Sequence, residues 1–165
     1  MWLLWYACAF LSRREQRAYG EDMDVQSRAA SLPALAGAVG ALAIELLYVN
    51  LIIQQGAVIL GNRVPLIIGW IALSILLAGV GAFTQSASRR FWLLGWSAAA
   101  LLTLGVSAVF SIGIPLLLCA VAVGAGAVSA AQLVGARPLV ALVTTILMIV
   151  VAGGVLLVGF GLTAP

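Results

Sequence analysis

Five long apolar runs, each closed by a short break of polar residues, glycine or proline, limit what this chain can fold into. Crossing a bilayer core of about 30 Å takes about 20 apolar helical residues. The runs reach that length and are continuous, without the apolar–polar alternation of a lipid-facing barrel strand. In lipid the backbone amides must be satisfied inside a helix or a closed barrel, so continuous runs mean helices. The spacing predicts an all-α integral membrane protein with five transmembrane helices within residues 32–162. A polar segment over 12–31 and a short interfacial apolar helix over 1–11 precede them.

The breaks set the expected spans. Pro33 suits a first helical turn, where its missing N–H has no partner to lose. From there the first span runs to about Leu60, or ends near Asn50 to Gln55 and continues as an interfacial turn. After Gly61-Asn62-Arg63 the second span covers Val64 to Phe83. The polar loop Thr84 to Arg90 leads to a third over about Phe91 to Phe110. A turn at Ser111 to Pro115 opens the fourth, about Ile114 to Val134. Gly135-Ala136-Arg137-Pro138 breaks it before the last, about Leu139 to Leu162.

Charged residues make up 8% of the chain, against about a quarter in a soluble domain, so water cannot cover its surface and a lipid bilayer is the expected surrounding. The net charge of +3 comes from arginine. Most of these arginines stand in the gaps between runs, a placement that membrane topology explains without nucleic acid. The segment before the first span, the second-to-third loop and the fourth-to-fifth loop together hold seven arginines, and the opposite side holds Arg63 alone. The positive-inside rule then predicts a cytoplasmic N-terminal polar segment and a C-terminus on the far side of a bacterial-type inner membrane.

Residues 1–11, MWLLWYACAFL, are too short to span, and their positive charge follows the apolar stretch instead of preceding it. A cleaved signal is therefore not expected. Trp2 and Trp5 are expected to anchor this piece in the membrane interface, the alternative being the second half of a spanning helix. Trp92 and Trp96, one turn apart beside Arg89-Arg90, are expected to anchor the third span similarly.

Chemistry-bearing residues are few. The chain has no histidine, and Cys8 and Cys119 stand alone in apolar surroundings, so no metal site and no cofactor are expected. No nucleophile, phosphate-loop or metalloprotease motif occurs, and no enzymatic activity is expected of the chain alone. One acidic residue, Glu45, falls inside a span. An ionised side chain at that depth costs at least about 2.5 kcal/mol on the most lenient scale for aspartate. Glu45 is thus expected to be protonated or paired with a donor, with Ser74, Thr103, Ser107 and Thr144 as candidates. At helical spacing Tyr48 and Gln55 share its face, whereas Asn50 and Gln54 point almost oppositely.

Small residues mark several faces: Gly37, Gly40 and Ala41; Ala78, Gly79, Gly81 and Ala82; Gly124, Gly126, Ala130 and Ala131; and Gly153, Gly154, Gly159 and Gly161. In lipid, helices associate by close backbone approach, which small residues permit. The expected function is therefore a non-enzymatic polytopic subunit, packed against other membrane subunits or copies of itself, with Glu45 bridging helices. A small transporter or proton-translocating component using Glu45 is the alternative, and a lipid- or pigment-binding scaffold a third.

Overall fold

The computed structural model describes residues 31–55, 64–108, 112–135 and 138–162. They form five helices: α1 (Ser31–Gln54), α2 (Val64–Phe83), α3 (Ala87–Ser107), α4 (Ile114–Leu133) and α5 (Pro138–Leu162). All five are long and apolar enough to cross a membrane. The protein is an all-α, multi-pass membrane protein, and no strand occurs among the described residues. The expected interfacial helix with Trp2 and Trp5, and the polar segment as far as residue 30, lie outside the described residues.

Helix ends follow local chemistry. Of the two expectations for the first span, the shorter holds: α1 stops at Gln54, where Asn50, Gln54 and Gln55 are all exposed. α4 ends on Gly135 with φ of 67°, a left-handed conformation that costs glycine nothing. Its N–H donates to the Gln132 carbonyl at 3.0 Å.

α3 begins at Ala87, four residues before the expected Phe91, and takes both arginines into its opening turns. The cause is Arg90, which is buried although it carries a charge. Its Nε donates to the Thr84 carbonyl and its Nη2 to the Ala82 carbonyl, each at 3.2 Å. Those carbonyls lie in the last turn of α2 and just past its end, where the backbone lacks helical donors and a cation is favoured. Arg90 thereby closes the α2–α3 connection. A hydrogen bond to a charged group contributes about 1.5–3 kcal/mol, so Arg90→Ala is expected to lower the melting temperature of the detergent-solubilised chain clearly. Arg89→Ala, at an exposed position, is expected to leave it unchanged, and equal melting of both variants would refute this role for Arg90.

α3 is the hub. It packs against α2, α4 and α5. It is the least apolar of the five helices, yet half of its most apolar stretch is buried, against 17% for α5. Gly95, Ser97, Ala99, Ala100 and Gly105 line its buried sides, which lets neighbouring backbones approach closely. Two hydrogen bonds cross between α2 and α3 in opposite directions. Ser97 Oγ donates to the Ser74 carbonyl at 2.7 Å, and Trp70 Nε1 donates to the Ala100 carbonyl at 3.1 Å. Such bonds average only about 0.6 kcal/mol in a membrane, so they fix register more than they supply stability.

α1 lies on α4. A Cβ built on Gly37 would sit 2.6 Å from Val123 Cγ2 and 2.9 Å from the Cys119 carbonyl oxygen, and one on Gly40 would sit 2.9 Å from Cys119 Sγ. As α1 advances from Gly37 to Gly40, its neighbours on α4 retreat toward Cys119, so the two helices run antiparallel. α5 is attached most lightly. Its buried residues Met148, Ala152 and Leu156 fall one per turn along a single line.

Candidate functional site

The buried residues of α1 are Ala34, Gly37, Ala38, Ala41, Glu45 and, seven residues further on, Ile52, spacings that keep one side of a helix turned inward. Glu45 extends this small-residue seam, and its side chain is enclosed to 8% exposure. It lies 14 residues beyond Ser31, the first described residue of α1, about 21 Å along the axis at the standard helical rise.

Among the described residues Glu45 makes no hydrogen bond and no ion pair. The four hydroxyls expected to serve it are committed to backbone carbonyls of their own helices: Ser74 to Trp70 at 2.8 Å, Thr103 to Ala100 at 3.0 Å, Ser107 to Thr103 at 2.8 Å and Thr144 to Val140 at 2.8 Å. Intrahelical back-bonding is the cheapest way for a hydroxyl in an apolar run to satisfy its proton. No described side-chain nitrogen or oxygen is both fully enclosed and unbonded. The unbonded carboxyl of Glu45 must therefore keep a narrow opening to its surroundings.

The neighbouring polar residues do not gather around it. Tyr48 is half-buried one turn on, whereas Asn50, Gln54 and Gln55 are exposed. Gln55 follows directly on α1, its N–H donating to the Leu51 carbonyl at 3.0 Å. The result is one buried carboxyl and a polar outer end to α1, with no converging constellation. No group of three histidine, cysteine or acidic side chains able to hold a metal occurs among the described residues.

The expected anchors on α3 divide. Trp92 is 47% exposed and meets Phe91 edge-to-face, with ring centroids 6.2 Å apart. Trp96 is half-buried and packs on the cluster of Ala99, Met148 and Ala152 between α3 and α5. The polar pair that the sequence reading missed is Ser74–Ser97. Its signal was available in the small-residue run Ser97-Ala98-Ala99-Ala100, which marks a helix surrounded by others.

The chain matches no protein-family model, and neither a curated protein nor a solved structure is detectably similar to it.

Proposed function

We propose that this chain is a non-enzymatic membrane subunit that docks through the outer faces of α2 and α5 onto further membrane helices. The observation that carries the reading is a division among its glycines. Those at the internal crossings are tightly packed: a Cβ on Gly37 would meet the α4 backbone, and one on Gly81, Gly95 or Gly105 would press on the side chain of Leu94, Met148 or Leu117. Gly69 and Gly79 on α2, and Gly154 and Gly161 on α5, have nothing within 4 Å of a built Cβ. Glycine in a helix costs about 1 kcal/mol relative to alanine, and in these four positions no internal contact offsets it. A second helix approaching closely would do so.

α5 supports the same reading, because its exposed large residues include Leu147, Val150, Leu157 and Val158 around Gly154. The arginine asymmetry favours a cytoplasmic N-terminal segment, with the C-terminus across a bacterial-type inner membrane.

The test is Gly154→Leu combined with Gly161→Leu, with the native assembly extracted in mild detergent and weighed intact by mass spectrometry. The expected result is a folded chain that no longer enters the larger assembly. An unmutated chain that leaves native membranes as a discrete monomer would overturn the reading.

A further inference from the structure

Glu45 is the one acidic side chain among the described residues. It is nine-tenths buried, unbonded and narrowly open. It also continues the face by which α1 rests on α4. We propose that Glu45 is a proton-binding site that works as a latch: carrying its proton it lets α1 lie on α4, and losing the proton drives the outer half of α1 away from α4. This goes beyond the subunit reading and does not depend on it.

The surroundings leave an ionised carboxylate no compensation. On α1 the other titratable group is Tyr48, half-buried one turn further on, and on α4 it is Cys119, which faces Gly40. The described parts of α2 and α5 contain no titratable group. α3 contributes Arg89, exposed in its first turn, and Arg90, which is bonded to the carbonyls at the end of α2. Arg63 and Arg137 lie outside the described residues.

A neutral carboxyl can sit in this seam with only its own hydroxyl to place. A carboxylate is acceptor-only and has no described donor to receive from. Its relief is water, and the route to water is along the outer end of α1, where Asn50, Gln54 and Gln55 are already exposed. The seam beneath it consists of Ala34, Gly37, Ala38 and Ala41, and in the outer half of α1 the one large buried side chain is Ile52. Small residues interlock little with their neighbours, so parting the outer half uncovers mainly Ile52.

Cys119 supplies the readout. A Cβ at position 40 lies 2.9 Å from Cys119 Sγ, close to the separation that an S–S bond of about 2.05 Å imposes. The experiment uses the full chain in lipid nanodiscs with Cys8→Ser and Gly40→Cys, oxidised by copper phenanthroline across a range of pH. Disulfide formation is read as the loss of two hydrogens from the intact mass. The same series carrying Glu45→Gln reports the pH dependence of thiol chemistry alone, and Glu45→Asp keeps a titratable group in place. The expected result is cross-linking in the Gln chain, with yields of the Glu and Asp chains relative to it falling several-fold as pH rises. A ratio that stays flat across the range overturns the latch. Failure of the Gln chain to cross-link at any pH overturns the seam on which it rests.

Discussion

Gly113→Ala is expected to take about 3 kcal/mol from the stability of the fold and to lower its melting temperature by several degrees. Gly113 closes the α3–α4 connection by donating its N–H to the Ala108 carbonyl at 2.8 Å, five residues back, in a short π-helical turn. A Cβ there would stand 2.6 Å from both the carbonyl carbon and oxygen of Ala108, and closer still to the Gly105 carbonyl oxygen. Those are backbone atoms on two sides, and neither can swing aside as a flexible side chain would. Overpacking costs typically about 1–3 kcal/mol and occasionally more; with backbone on both sides the upper end applies, about 3 kcal/mol. The φ of −66° at Gly113 is ordinary, so the penalty is one of space alone. Thermal unfolding in detergent, followed by size-exclusion elution, measures it. A melting temperature within a degree or two of the parent would contradict the crossing geometry.

Gly37→Ala comes next. The added methyl would meet Val123 Cγ2 at 2.6 Å, which a rotamer change relieves, but also the Cys119 carbonyl oxygen at 2.9 Å and the Val123 nitrogen at 3.1 Å, which it does not. α1 must move outward, loosening Ala34, Ala38 and Ala41 from the cluster they share with α4. A loss of about 2–3 kcal/mol is expected. Gly79→Ala, with open space around it, is the matched control and should be neutral or mildly stabilising through helix propensity. If the two substitutions behave alike in a denaturant titration, α1 does not pack on α4 through Gly37.

The number of helices and most of their limits were legible because lipid imposes one length and one polarity on every span. Val64–Phe83 matches its expected limits, and the fourth and fifth spans differ by one residue. Where expectation and structure part, a side chain has found a backbone partner that apolar patterning cannot register. Arg90 reaches the end of α2 and draws the start of α3 back by a turn. Small residues pointed to crossings on the first, second, fourth and fifth spans, while the third was read mainly through Trp92 and Trp96. Its Ser97 to Ala100 run and Gly105 make it the centre. Glu45 was legible as a buried acid, but its expected donors were not legible as already occupied. A hydroxyl's choice between its own helix and a neighbour depends on distances that a one-dimensional pattern does not hold.

The central position of α3 bears on how the chain is made. Taken singly, α3 gains less from entering lipid than any of the other four helices, and α5 gains most. α2 is synthesised just before α3 and joined to it by three residues, 84–86, so a hairpin partner carrying Trp70 and Ser74 already waits in the membrane. α4 follows and covers another side. The helix most in need of shelter thus emerges from the ribosome between its two nearest companions, and the helix that needs it least is made after all three.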